Sequence, residues 1–450
     1  MRLSTLLRPD IEDVLRNNPE EAAAVAEELP PADLAETIES LDDGLAVRWL
    51  GMLSRDVAVK ALDHMDPTRR VELFSKLDRV LAADLAADMS SDDRADMFQN
   101  LEPELRSDVL GRMPGAESRD IRDLIQYPEN TAGGIMTTDF VALSAEWTVE
   151  KAIEEIRRTA EETETVYEVF AVDPYGTLVG SVSLRDLLFA RGAQLVSAIM
   201  NSDAVSVPAE KDQEEVAQIF QRYDLLALPV VDSKRKLLGI VTVDDVVDVI
   251  KEEQAEDIQK LGAVRPTEGT YFQTDFYTFL RSRAVWLIVL FIGQTFTVGL
   301  LKRYEGVVSA ATFVAFFIPL IISSAGNTGN QAASLVIRGM ALGEFTTGDA
   351  FRILWRETRI GLALGGILAM MGLITSLVLA SEGGAGLAFS VAISLVSCVT
   401  IGSVAGAGLP LFIRRIGFDP ALASGPFIAS MLDVIGIVIY VQTAIWLMGL

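Results

Sequence analysis

Five long apolar stretches close this 450-residue chain, at residues 284–301, 306–337, 360–381, 385–413 and 420–450. Each meets or nearly meets the ~20 residues that a helix needs to cross a hydrocarbon layer. In lipid only a fold that satisfies its own backbone polar groups persists, so this part is expected to be a bundle of spanning helices. Charge divides at the same place. Of 63 acidic and 38 basic residues, only seven and eight lie in 284–450, leaving residues 1–283 with 56 acids, 30 bases and a net charge of −26. An acidic water-soluble part is thus joined to a nearly uncharged apolar one.

That acidity argues against nucleic acid, whose phosphates need basic partners, and favours cations, although an acidic surface also serves plain solubility. The single cysteine, Cys398, lies inside an apolar run, which excludes an internal disulfide framework and a cysteine zinc site. There is one histidine, His64, with no nucleophile–base pair and no phosphate-binding glycine-rich loop, so an enzyme is not expected. The first residues carry charge and no apolar core, so no cleavable signal peptide is expected, and the soluble part should stay in the cytoplasm.

The soluble part begins with a repeat. Leu29, Leu41, Leu53, Met65, Leu77, Met89, Leu101 and Met113 recur every twelve residues, and from Leu41 on each has an apolar residue or alanine three places earlier: Ile38, Leu50, Leu62, Phe74, Ala86, Phe98, Leu110. The following residue is Pro30, Asp42, Ser54, Asp66, Asp78, Ser90, Glu102 or Pro114, mostly cap or first-turn types. The pattern predicts short helices that stack into a superhelical array, because none can bury a face alone.

A second duplication follows. Phe170-Ala171-Val172-Asp173 leads to Leu178-Val179-Gly180, and Leu228-Pro229-Val230-Val231-Asp232 leads to Leu238-Gly239-Ile240, with the same spacing from Asp173 to Gly180 as from Asp232 to Gly239. Strand, turn, strand and helix, twice, predict an α/β pair. The pattern resembles a pair of cystathionine-β-synthase (CBS) domains, which implies a regulatory ligand sensor. In such pairs an adenine nucleotide can sit between the copies; Arg185 could reach a phosphate or be a solvated surface arginine, and Glu168 stands where an aromatic would stack on a base. An acidic helical pattern then runs from Asp244 to Leu261, ended by Gly262 and Pro266, as a link to the membrane.

In the membrane part, Arg281 and Arg283, then Arg338, Arg352, Arg356 and Arg359, then Arg414 and Arg415 flank alternate ends of the stretches. Placing these clusters in the cytoplasm puts the N-terminus inside and the C-terminus outside. Gly326-Asn327-Thr328-Gly329-Asn330-Gln331 sets four hydrogen-bonding side chains in one span, as a water-lined face or a packing network. Gly402 and Gly406 are spaced for close helix packing. Asp433 is the sole charged residue between Ala421 and Leu450. A carboxylate in mid-membrane costs ~2.5–3.5 kcal/mol on insertion scales, so it should face water and meet a cation, the alternative being a protonated buried acid. Glu357 fits an interfacial ion pair or the conduction path.

With these residues in place the chain resembles the MgtE family of magnesium channels over nearly its whole length. The resemblance rests on the order of parts, on residues 326–331, and on Asp433 with Gly436 and Tyr440. It implies a multidomain membrane protein: an all-α superhelical N-terminal domain (1–130), CBS domains at 131–195 and 196–250, an acidic connecting helix and linker (251–280), and a five-helix transmembrane pore domain (281–450). It further implies a homodimer in the plasma (inner) membrane whose second and fifth spans, with Asn327, Thr328, Asn330 and Gln331, line one pore. There Asp433 of each subunit would hold a hydrated Mg2+, helped by backbone carbonyls near Ala429. Cytoplasmic Mg2+ would close the pore by bridging Asp92, Asp93 and Asp96 of the array, Asp212, Glu214 and Asp224 of the second CBS copy, and Asp245, Asp248, Glu253, Glu256 and Asp257 of the connecting helix. ATP at the CBS pair is a possible further ligand. This sequence departs from the family at Gly425, often Asn, and at Lys60, where an acidic ligand is expected. A coupled carrier for Mg2+ or another divalent ion, and a non-conducting membrane Mg2+ sensor, are the competing readings.

Overall fold

The computed structural model describes residues 3–160, 163–267, 271, 274–379 and 384–449. Residues 380–381 and 450, at the ends of the third and fifth apolar stretches, and 268–270 and 272–273 of the linker lie outside the described residues. The chain divides into two compact units, Met1–Glu252 and Glu253–Leu450.

The twelve-residue repeat forms helices α1 (Leu3–Asn17), α2 (Pro19–Glu28), α3 (Pro31–Ser40), α4 (Asp43–Leu50), α5 (Arg55–Asp63), α6 (Pro67–Ser75), α7 (Arg79–Asp88), α8 (Ser91–Asn100), α9 (Pro103–Arg112) and α10 (Glu117–Leu124). Odd helices pack on odd and even on even, each on the helix two places along. Leu41, Met65, Leu77, Met89, Leu101 and Met113 are buried just past helix ends, with Ile38, Leu62, Phe74, Ala86, Phe98 and Leu110 buried three residues before them. Helices this short gain their stability from that shared core rather than from propensity. Asp42, Asp66 and Asp78 cap α4, α6 and α7 by accepting from first-turn amides. Ser54 and Ser90 occupy cap positions without a side-chain cap bond, and Ser90 Oγ instead donates to Asp93 Oδ2 at 3.2 Å.

The duplicated α/β part follows in the same unit. Its first copy holds β1 (Phe140–Ser144), α11 (Val149–Thr159), β2 (Thr165–Val172), β3 (Leu178–Ser183) and α12 (Leu184–Phe189). The second holds β4 (Val207–Pro208), α13 (Gln213–Tyr223), β5 (Ala227–Val231), β6 (Leu237–Thr242) and α14 (Val243–Leu261). In each three-stranded sheet the first pair is parallel and the second antiparallel. The shared spacing has a shared cause. Asp173 Oδ1 accepts from the amides of Tyr175 and Thr177, and Asp232 Oδ1 from those of Lys234 and Lys236, closing the two hairpins alike. Seven residues beyond each Asp, a Cβ on Gly180 would come within 2.8 Å of the Asn201 carbonyl, and one on Gly239 within 2.7 Å of the Thr137 carbonyl. Only glycine lets those segments pass.

The second unit contains α15 (Phe276–Arg303), α16 (Glu305–Ala310), α17 (Thr312–Ala315), α18 (Ile318–Ala341), α19 (Ala350–Leu379), α20 (Gly384–Arg415) and α21 (Gly425–Met448). Five helical segments among the described residues are long and apolar enough to span a membrane: Phe276–Arg303, Thr312–Ala341, Thr347–Leu379, Gly384–Arg415 and Gly425–Met448. The second apolar stretch is not one continuous helix; it breaks near Ala311 and again before Ile318. Pro319 therefore sits in the first turn of α18, where a missing N–H costs nothing. Helix α20 is the hub, packed by α18, α19 and α21, while α15 rests on α21 and leaves most of its surface exposed.

Candidate functional site

Small residues bring the membrane helices together. A Cβ on Gly406 would lie 2.1 Å from the Gly329 carbonyl oxygen, and one on Gly402 2.6 Å from that of Ala325, so α20 and α18 touch backbone to backbone. Gly326 in turn meets Ala429 of α21, 3.4 Å from a would-be Cβ. Tyr440, fully buried on α21, donates its hydroxyl to the Val314 carbonyl at 3.0 Å. These contacts fix α21 and, with it, Asp433.

Asp433 is half-buried, and no basic side chain among the described residues pairs with it. Its partner is an amide on α15: Gln294 Nε2 donates to Asp433 Oδ2 at 2.8 Å and lies 3.4 Å from Ser430 Oγ, one turn earlier on α21. Sequence reasoning missed Gln294. The available signal was the lone amide within the first apolar stretch, of the kind that needs a partner in lipid.

The polar set on α18 divides. Asn327 and Gln331 are exposed one turn apart, whereas Thr328 is buried and returns its hydroxyl to the Ser324 carbonyl at 2.9 Å. Asn330 is half-buried beside Gly425, its Oδ1 3.4 Å from the position of a Cβ there and without a hydrogen-bond partner. Glu357 on α19 makes no ion pair among the described residues; it accepts from Ser403 Oγ of α20 at 2.6 Å.

In the first unit a carboxylate cluster gathers where α5 and α8 of the array meet the duplicated part. Asp92, Asp93 and Asp245 belong to it, and so do Asp63, Asp139, Glu164 and Asp244, which sequence reasoning did not single out. Burial, with Asp93 opposite, pushes the Asp63 carboxyl up to about 8. Asp92 is raised by burial and by Asp93, and Asp245 by burial and by Asp92, while Glu164, on the exposed rim, is raised by partial loss of solvent there and by Asp92. Asp63 Oδ1 and Asp92 Oδ1 are buried without a partner. Arg70, itself buried, is 2.5 Å from Asp93 Oδ1 and 3.2 Å from Asp96 Oδ2, and the buried Arg94 acts on Asp139. The docking nearby is polar: Ser91 Oγ accepts from the Thr138 amide at 2.7 Å, and Asp139 Oδ2 accepts from the Ser91 amide at 3.2 Å. Hard oxygen donors of this kind suit Mg2+, yet among the described residues no three acids close into a ready-made metal-binding group.

The second unit has its own cluster. Lys260, near the end of α14, lies 2.6 Å from Asp419 Oδ2 and also pairs with Glu256. Asp257 beside them is raised to about 6 by burial and by Asp419.

Family profiles match the order of domains along the chain. The profile of MgtE, described as a divalent cation transporter, matches residues 318–443; that of the MgtE intracellular N domain matches 29–130, and that of the CBS domain 132–192 and 196–252. The magnesium transporter MgtE of Thermus thermophilus is 37% identical over 426 residues, 93% of either chain. This chain belongs to the MgtE family. The MgtE magnesium transporter of Bacillus subtilis is 31% identical over 93% of this chain and 92% of its own. A solved structure of the cytosolic domain of the Mg2+ channel MgtE in complex with ATP superposes with a TM-score of 0.52 at 34% identity, covering 55% of this chain and all of that one.

The remaining MgtE-like positions are spread more widely. Asp212 caps α13 by accepting from the Glu214 amide at 3.0 Å, and Asp224 ends the same helix in a left-handed conformation, φ 51°. The two ends stand about 17 Å apart at helical rise, so these acids do not form one site by themselves. Asp248 pairs with Lys251 on the surface. Lys60 pairs with Asp56 on the outer face of α5, whereas Asp63, one turn further on, enters the carboxylate cluster. Arg185 is exposed at the start of α12, and Glu168 lies on β2.

Proposed function

We propose that this chain is a Mg2+ channel that admits Mg2+ through a homodimer pore and is closed by cytoplasmic Mg2+. The observation that carries the reading is Asp433, a membrane carboxylate with no basic partner among the described residues, held by an amide on a neighbouring span. Such an acid stays charged at lower cost where water and a cation reach it. Mg2+ sheds water reluctantly, so a carboxylate facing a hydrated ion, with carbonyls near Ala429, suits it. Two copies of Asp433 across a pore axis would prefer a divalent ion to a monovalent one. Asn327 and Gln331, exposed one turn apart on α18, offer the pore a polar wall, and Asn330 beside Gly425 supplies an amide at the mouth that an asparagine at 425 would otherwise bring.

The proposed topology keeps residues 1–280 in the cytoplasm and the C-terminus outside, with the arginine clusters on the cytoplasmic side of the plasma (inner) membrane. Regulation follows from the carboxylate cluster. Without bound cations Asp63, Asp92, Asp93, Asp245 and Glu164 repel; Mg2+ among them removes that cost and favours the compact arrangement. Asp96, Asp212, Glu214, Asp224 and Asp248 add to the acidity of the first unit, and Glu253, Glu256 and Asp257 to that of the second. Helix α14, continuous from the second CBS copy into the second unit, is the proposed transmitter. ATP is a further proposed ligand of the CBS pair, with Arg185 toward its phosphates; Glu168 offers its base no ring to stack on.

Single-channel recording in planar bilayers tests this reading. Unitary Mg2+ currents that close as Mg2+ rises on the cytoplasmic side support it; flux that needs a Na+ or H+ gradient and shows no unitary currents contradicts it.

A further inference from the structure

We propose that Gln294 is a positioning residue that sets ion selectivity by committing one oxygen of Asp433. The inference rests on the reading of Asp433 as the pore carboxylate. The Gln294 amide reaches α21 at two points one turn apart, Asp433 Oδ2 at 2.8 Å and Ser430 Oγ at 3.4 Å. A Gln amide carries two N–H donors and a carboxylate only acceptors, so the contact fixes the rotamer of Asp433. Among the described residues Oδ2 is taken by this bond and Oδ1 has no partner. Each carboxylate oxygen carries two lone pairs. With one on Oδ2 committed to Gln294 and the rotamer fixed, a symmetric two-oxygen grip on an ion is disfavoured and Oδ1 is the freer oxygen. Asp433 then meets the ion with a single oxygen, which suits Mg2+ inside its water shell. Ca2+ loses water more readily and takes bidentate carboxylates in larger, flexible shells, so the same bond disfavours it. Gln294 is half-buried on a helix whose surface is otherwise mostly exposed; its amide ties the middle of α15 to α21.

The test is flux into liposomes from the full-length protein, measured for Mg2+ and Ca2+ over a concentration series. Gln294→Met keeps the length of the side chain and removes the donor; Gln294→Ala removes both, and Asp433→Asn is run alongside. The proposal expects Gln294→Met to raise the half-saturating Mg2+ concentration about tenfold, the scale of a lost hydrogen bond to a charged group, and to shift the Mg2+/Ca2+ flux ratio toward Ca2+. Gln294→Ala should do the same. A purely structural role would lower the maximal flux and leave the half-saturating concentration and the ratio unchanged, and that result in both variants overturns the proposal. Loss of flux in Asp433→Asn with wild-type affinity and ratio in Gln294→Met removes this inference and leaves the pore assignment standing. Wild-type flux in Asp433→Asn removes both.

Discussion

Lys260 holds Asp419 across 2.6 Å, joining the last turn of α14 to the short turn that precedes α21. The acid in the turn before α21 is thus paired with a cation built into the end of α14. Asp257, next to the pair, carries the cost: its carboxyl is raised to about 6 by burial and by Asp419.

Replacing Lys260 by Met should leave Asp419, Glu256 and Asp257 facing one another without a cation. Partial exposure limits the loss to about 1 kcal/mol or less. The expected outcome is a lower melting temperature of the purified protein in Mg2+-free buffer, with a larger gain on adding Mg2+ than the wild type shows. An unchanged melting temperature and Mg2+ response would show that the pair contributes nothing.

Arg70 is a stronger case, because it is buried between Asp93 and Asp96 and near Asp63. Removing one partner of a buried ion pair leaves the other uncompensated, at about 3–5 kcal/mol. Arg70→Met is therefore expected to destabilise the first unit strongly, measured by thermal or denaturant unfolding, whereas Arg55→Met, whose partner Asp88 is half-exposed, should change stability by less than about 1 kcal/mol.

The carboxylate cluster also predicts a pH dependence of definite sign. A carboxyl whose folded pKa is raised favours the folded arrangement while protonated, and that contribution is lost as pH rises through the folded value. For Asp63 the window runs from near 4 to about 8. Hydrogen exchange of α5 and α8 in the full-length protein without divalent ions should quicken between pH 6 and pH 8.5. Millimolar Mg2+ should suppress the change, and Asp63→Asn should reduce it.

Much of this was legible in the sequence, for identifiable reasons. The five spans follow from the length of apolar runs, and the array from a period that the buried Leu41-to-Met113 series fills. The duplicated hairpins followed from Asp173 with Gly180 and Asp232 with Gly239. What stayed hidden depends on distant parts of the chain. Asp63, Asp139 and Glu164 join Asp92 and Asp245 only once the array is folded against the α/β pair. Gln294 has no periodic neighbour to mark it, and its role appears only when α15 is set against α21. The break before Ile318 was masked because a proline in an apolar run reads the same inside a helix as at its start.

Close packing of α18 and α20 gives a further check. Gly406→Ala would drive a Cβ to 2.1 Å from the Gly329 carbonyl, and overpacking of this kind costs about 1–3 kcal/mol or more. Reduced thermal stability in detergent and reduced flux are expected. Gly366→Ala on α19, with nothing within 4 Å of the added carbon, should behave as wild type.

The central claim is that the cation passes Asp433, and the direct measurement is Mg2+ uptake by liposomes carrying the purified full-length protein, wild type against Asp433→Asn at matched protein density. The account predicts saturable uptake by the wild type and its loss in the variant. Uptake by Asp433→Asn at the wild-type rate would contradict it.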